Sequence, residues 1–262
     1  MILFQPTSMN TLFIGQNHIE LPFIDSTNTY ASELLQKGDV IEGTTVFTFD
    51  QRLGRGQRGN HWHSKAHQNL TLSIILKPAF LPINKQFELN KVVSLGLRDF
   101  IHAQLRTYQL LQCKIKWPND IYVNDKKIGG ILIENILKGN QIAYSIIGMG
   151  ININQENFDE SIPNPVSLKL LTGIQYNLKA MVEELCLYIE KRYLCLSNNN
   201  IENLNTDYLS FLYRYNFFST YEYYGTKIIA KIIGVEDGGK LILEKENGTL
   251  LSCDFKEIRF VI

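Results

Sequence analysis

Three segments of the chain carry residues whose types and spacing could do chemistry. Residues 51–62 read QRLGRGQRGNHW, so that Gly54, Gly56 and Gly59 alternate with Arg52, Arg55 and Arg58, and no acid occurs between Asp50 and Glu88. Glycines let backbone N–H groups come close to a ligand. Arginines present fixed forks to carboxylate or phosphate oxygens. The composition suggests a loop that closes over an anion; a solvated basic hairpin is the plainer alternative. The glycine spacing also mimics a dinucleotide fingerprint, but a strand is expected after the loop where that motif needs a helix.

The second segment, 116–134, reads KWPNDIYVNDKK followed by IGGILIE. Trp117-Pro118-Asn119-Asp120 is a turn signal with an aromatic lid and a carboxylate, and Lys127 immediately precedes an apolar strand. A lysine there projects from a rigid element and can neutralise a phosphate or carboxylate. Asp120 can bind magnesium or orient the lysine. The third segment, GMGININ at 148–154, places two glycines in a strand, which marks a bulge or a ligand lying against backbone. Asn152 either bonds that ligand or caps a turn. His61, His63 and His67 have no cysteine nearby, so they read as loop histidines rather than a zinc site.

The elements that must hold these segments follow from periodicity. Residues 26–38 form an expected helix with polar caps at Ser26, Thr27 and Asn28 and a stop at Gly38. Residues 44–49 and 70–76 read as strands and 88–105 as an amphipathic helix. Short apolar runs at 113–117, 121–123, 128–134 and 143–147 follow with connections too short for crossover helices, which predicts antiparallel neighbours. Residues 128–133 read as a strand covered on both faces. Helical spacing returns at 178–196 and 201–213. From about 217 the pattern alternates, with turn signals at 236–239 and an Asn247-Gly248 hairpin signal. A boundary near Asn216 divides the chain into expected domains 1–215 and 216–262.

The chain has 262 residues, 45% hydrophobic and 20% charged, with a formal net charge of +0, which excludes disorder and does not suggest a general polyanion binder. Its four scattered cysteines suggest reduced thiols. No apolar run approaches the roughly 20 residues of a membrane span, and residues 1–10 lack the features of a signal peptide.

In combination the segments resemble one family. Ser-Thr-Asn at 26–28, GRGQRG at 54–59, KWPND at 116–120, KIGGILIE at 127–134 and GMGIN at 148–152 occur in the order and spacing of biotin–protein ligases, and the C-terminal β-region matches too. The resemblance runs from about Glu20 to the end of the chain. It implies an α+β fold: a catalytic domain like those of class II aminoacyl-tRNA synthetases and biotin synthetases, then a small all-β SH3-like barrel. It implies ATP with Mg2+, and biotin as substrate, giving biotinyl-5′-AMP and pyrophosphate. The biotinyl group then passes to a lysine on the biotin carboxyl carrier domain of a carboxylase.

The resemblance also assigns residues. Ser26, Thr27 and Gln51 fall where the family bonds the ureido head of biotin. Asn28, Gly54, Gly56, Gln57, Arg58 and Trp62 belong to the biotin and adenylate shell. Arg55 falls where the family binds biotin and orders the loop, and Lys127 where it contacts the biotin carboxylate and α-phosphate. Gly130, Gly148 and Gly150 line the flat pocket. Asn119, Asp120 and Asn152 lie on the nucleotide side, with Asp120 the candidate magnesium ligand. Lys127, Arg55 and Asp120 form the implied catalytic set.

The chemistry needs such groups. Carboxylate and triphosphate repel each other, cations lower that repulsion, and a hydrolysable adenylate needs a closing loop.

Two departures stand out. Many members carry Arg where this chain has Gln57. Fewer than 30 residues precede Ser26, against about 50–60 for a recognition helix and its supports. The expectation is a monofunctional, cytoplasmic ligase that binds neither DNA nor membrane, with a homodimer left open. A lipoate–protein ligase is the nearest rival, but its arginine-serine-triple-glycine loop is missing. A non-catalytic interaction module should have lost Arg55, Asp120 and Lys127.

Overall fold

The structure is a computed structural model that describes residues 11–198 and 200–262. The reading of residues 1–10 as lacking a signal peptide lies outside the described residues. The chain runs β1 (His18–Leu21), α1 (Thr27–Lys37), β2 (Thr45–Thr48), a small hairpin of β3 (Gly54–Arg55) and β4 (His61–Trp62), β5 (Leu70–Leu76) and α2 (Phe87–Gln104). It continues through β6 (Cys113–Lys116), β7 (Asp120–Val123), β8 (Lys126–Lys138), β9 (Gln141–Ile151), α3 (Leu168–Thr172), α4 (Leu178–Ser197) and α5 (Ile201–Phe211). Five strands end it: β10 (Ser219–Tyr223), β11 (Thr226–Val235), β12 (Leu241–Lys245), β13 (Leu250–Cys253) and β14 (Ile258–Phe260).

The main sheet has seven strands in the order β1-β2-β5-β9-β8-β7-β6. Every pairing is antiparallel except β1 with β2. Alternation decides what each face does. On β5, Leu70, Leu72, Ile74 and Leu76 enter the main core with residues of α2 and α4, while Thr71 and Ser73 point to the opposite face. On β9, Ile147, Met149 and Ile151 join that core and leave Gly148 and Gly150 on the other face. Gly130 and Leu132 of β8 pair with Gly150 and Gly148. One face is therefore packed with large apolar side chains, and the centre of the other is nearly bare. α1 covers only part of that second face, through Ala31 packed with Val46, Ile75 and Ile146.

This asymmetry corrects the expectation that 128–133 is covered on both faces. Ile128, Gly129 and Ile131 are buried, but Gly130 and Leu132 are only half-buried. A second correction concerns α2, expected to keep a polar face in water. Its Glu88 and Lys91 are buried and paired at 2.8 Å, and Lys91 also donates to Asn205 of α5 at 2.6 Å. The thiols of Cys113 and Cys186 are free and buried, and burial pushes both up to about 12.

The C-terminal strands form a separate antiparallel sheet in the order β13-β12-β11-β10-β14. Asn247-Gly248 lies in the β12–β13 turn, with Gly248 at φ +79° as a tight hairpin requires. The β11–β12 turn docks on the main sheet: Trp117 Nε1 donates to the Gly239 carbonyl at 2.9 Å, and Lys85 pairs with Asp237. Among the described residues, no helix is long and apolar enough to cross a membrane.

Candidate active site

The bare centre of the sheet is the floor of a cleft of about 550 Å³. Two of its glycines leave no room for a side chain. A Cβ on Gly148 would lie 2.8 Å from Asn28 Cγ, and one on Gly150 would lie 2.5 Å from Trp62 Nε1. Trp62, carried over the floor by β4, has a buried indole N–H without a hydrogen-bond partner among the described residues.

At one end the cleft is neutral and densely hydrogen-bonded. Ser26 caps α1 by accepting from Thr29 N at 3.4 Å. That places Thr27 and Asn28 in the first turn, where both are buried. Thr27 donates to Gln51 Oε1 through its N–H at 2.9 Å and its hydroxyl at 3.2 Å. Ser73 Oγ donates to Asn28 Oδ1 at 2.6 Å and lies 2.8 Å from Thr27 Oγ1. Asn28 Nδ2 donates to Glu134 Oε2 at 2.7 Å, and Glu134 in turn pairs with Arg55 at 2.7 Å. One network thus links the helix N-terminus to the glycine-rich loop.

The other end is charged. The β7–β8 ladder skips a residue between Ile121↔Gly129 and Tyr122↔Lys127. Such a bulge re-aims the side chains beside it. Lys127 Nζ reaches Asp120 Oδ1 at 2.6 Å and lies 5.7 Å from the centroid of the Trp62 ring. The backbone of Lys127 is held by Asn164 O at 2.7 Å and Val166 N at 2.9 Å. Asn119 Nδ2 donates to the Ile131 carbonyl at 2.6 Å and fixes the turn before Asp120. Asp120 supplies the carboxylate among the described lining residues. One carboxylate beside a polyphosphate suits magnesium, which keeps most of its water and takes its remaining ligands from the nucleotide. No group of three or more metal-ligating side chains occurs among the described residues.

The cleft brings together Ser26, Thr27, Asn28, Gln51, Arg55, Gly56, Gln57, Trp62, Asn119, Asp120, Lys127, Gly130, Gly148 and Gly150 from four separated stretches of chain. Two expected residues, Gly54 and Asn152, stand apart from the cleft. The side chain of Arg58 lies outside the described residues. Gly54 lies behind the loop in an adjoining hollow, its missing Cβ leaving room for Gln51 Nε2. Asn152 is buried away from the cleft and donates to the Val166 carbonyl at 3.1 Å. Of its two readings, the turn-holding one is what this geometry fits: it secures the segment that grips Lys127. Sequence reasoning passed over Glu134 and Ser73, and also Lys116, Tyr122, Arg259 and Phe260, which line the charged end. Glu134 and Lys116 stood inside quoted motifs. The C-terminal pair carried no local signal.

A family model described as the biotin/lipoate A/B protein ligase family matches residues 20–152, half of the chain and most of the cleft. The chain belongs to this family. Its relatives include the bifunctional ligase/repressor BirA of Bacillus spizizenii, 30% identical over 243 residues, which are 92% of this chain and 73% of that one. They also include the biotin–[acetyl-CoA-carboxylase] ligase of Mycobacterium tuberculosis, 25% identical over 197 residues, 74% of this chain and 71% of that one. Among solved structures, the Aquifex aeolicus biotin protein ligase in complex with biotin and ATP matches with a TM-score of 0.74 and 25% identity, over 94% of this chain and all of that one. These relatives put this member of the ligase family with its biotin–protein ligases.

Proposed function

We propose that the protein joins biotin to a carrier protein in two steps at this one cleft. ATP and biotin give biotinyl-5′-AMP and pyrophosphate. A lysine amine of a biotin carboxyl carrier domain then displaces AMP and forms an amide. The observation that carries the reading is the pairing of a neutral, donor-and-acceptor-rich pocket with a cationic end across a glycine floor. The ureido ring of biotin has N–H donors and a carbonyl acceptor that can engage Thr27, Asn28 and Gln51 on the cleft wall, with Ser73 behind them holding Thr27 and Asn28. The dithiolane of lipoate offers these side chains neither donor nor acceptor, the kind of mismatch that discriminates between substrates.

In this reading Lys127 sits between the biotin carboxylate and the α-phosphate, where it lowers the repulsion of the two anions and steadies charge developing at phosphorus. Asp120 orients Lys127 and is the ligand for a nucleotide-borne Mg2+, which would supply further charge neutralisation. Arg55, released from Glu134, and Trp62 cover the adenylate and exclude water. Residues 1–215 then form the catalytic domain and 216–262 the C-terminal β-domain. The zero net charge supports a role without operator binding.

The test is transfer itself. Incubated with biotin, ATP, Mg2+ and a carrier domain, the protein should add one biotinyl mass to one carrier lysine, and none without ATP. A carrier that gains no mass, while an authentic ligase modifies it, would refute the proposal.

A further inference from the structure

Glu134 follows Gly130 and Leu132 at alternate positions of β8, so the pleat turns it to the same face of the sheet as the cleft floor. Its carboxylate serves two partners. Oε1 accepts from Arg55 Nη2 and Oε2 from Asn28 Nδ2, both at 2.7 Å. The two bonds are not equivalent. The Arg55 and Glu134 side chains are 49% and 33% exposed, and an ion pair so open to water contributes little. Asn28 is 3% exposed, and a buried amide that loses a charged partner is left at a cost.

The buried bond decides which way the Asn28 amide points. Asn28 Oδ1 accepts from Ser73 Oγ at 2.6 Å and stands over Gly148, where it is the first atom that a Cβ would meet. Asn28 Nδ2 faces the Glu134 carboxylate and, at 3.4 Å, the Leu132 carbonyl. Both of those groups only accept. With the amide reversed, Oδ1 would meet two acceptor oxygens. Ser73 cannot impose the choice, because a hydroxyl donates or accepts as its partner requires. Glu134 therefore makes Oδ1 the atom that Asn28 shows to the cleft floor.

We propose that Glu134 is a positioning residue for the acid substrate: by fixing the Asn28 amide, it presents Oδ1 as an acceptor for a ureido N–H of biotin. This rests on the ligase reading above. A carbonyl oxygen has two lone pairs, and Ser73 uses one of them. In this role Glu134 stands behind Asn28 and touches neither biotin nor nucleotide, so it acts on binding of the acid and not on the chemical step.

Glu134→Gln keeps the shape of the side chain, but its amide offers Asn28 either a donor or an acceptor and no longer dictates the orientation. Calorimetry should show the Kd for biotin raised roughly tenfold, the scale of one charge-assisted hydrogen bond. At saturating biotin, kcat for ATP–pyrophosphate exchange and the KM for ATP should stay at their wild-type values. In an Asn28→Ala background, Glu134→Gln should cost no further biotin affinity, because the group it positions is gone. Unchanged affinity in Glu134→Gln would overturn the proposal. So would an equal loss in the Asn28→Ala background, which would mean that Glu134 acts through Arg55 or through packing, and so would a fall in kcat at saturating biotin. Wild-type protein that binds no biotin would instead overturn the ligase reading, and this proposal with it.

Discussion

The two ends of the cleft are built on opposite principles. At the neutral end, Thr27, Asn28, Gln51 and Ser73 are buried or half-buried and already bonded to one another. Their positions are fixed before any ligand arrives. At the charged end, Lys116 and Arg259 face the cleft without ion pairs among the described residues, and Lys127 shares its charge with one carboxylate. A pocket for an uncharged ring gains specificity from preorganised hydrogen bonds, since an unmatched buried donor or acceptor is costly. A pocket for a polyanion gains rate from cations placed where charge will develop. On the proposed function, choice of acid lies at one end and acceleration at the other, and variants at the two ends should fail in different ways.

The largest effect is expected at Lys127. Lys127→Ala should slow adenylate formation by roughly 10²–10³-fold, comparable to losing one charge-stabilising donor. Folding should be nearly unaffected, because this side chain borders a polar cleft. Rapid-quench measurement of adenylate formation reads the first claim and thermal unfolding the second. Near-normal kinetics would remove Lys127 from the reaction centre.

At the other end, Gly148→Ala should act on biotin alone. The added methyl meets the Asn28 amide at 2.8 Å. Overpacking of this kind costs about 1–3 kcal/mol, or roughly five- to 150-fold in biotin affinity. Calorimetry with biotin should show the loss while the KM for ATP stays constant. A shift of both together would mean that the ends are not independent.

Much of this was legible in the chain, for a reason the fold makes plain. The strands at 70–76, 113–117 and 121–123 and the helices at 178–196 and 201–213 carry strong periodicities, and tertiary packing did not override them. The glycines at 148 and 150 stood out as a bulge or a close approach, because a residue without a side chain in an apolar strand needs a reason, and the close approach is what the fold has; Gly130 came only with the family resemblance. β1 and α3 passed unnoticed: each is four or five residues long, too short for a period to register. Asn152 was ambiguous because an asparagine ending a strand bonds a loop carbonyl as readily as a ligand. Phe260 and Arg259 were invisible as site residues because only the docking of the C-terminal sheet, through Trp117 and Gly239, brings them to the cleft.

The smallest effect is expected at Gln57, where many family members carry arginine. The residue is half-buried on the cleft wall in the short turn Gln57–Gly59. A guanidinium there would replace a neutral hydrogen bond of about 0.5–1.5 kcal/mol by a charge-assisted one of about 1.5–3. Gln57→Arg should slow release of preformed adenylate by up to roughly tenfold. A trap for dissociated adenylate compares the two proteins. Equal release rates would confine retention to the other loop cations.

The neutral end is proposed to select biotin and the charged end to activate it with ATP, and ATP–pyrophosphate exchange run separately with biotin, lipoate and octanoate tests both at once. Exchange should require biotin and stay at background with the other two acids. Exchange driven by lipoate or octanoate and not by biotin would contradict the account, because the hydrogen-bonded pocket would then not be selecting a ureido ring.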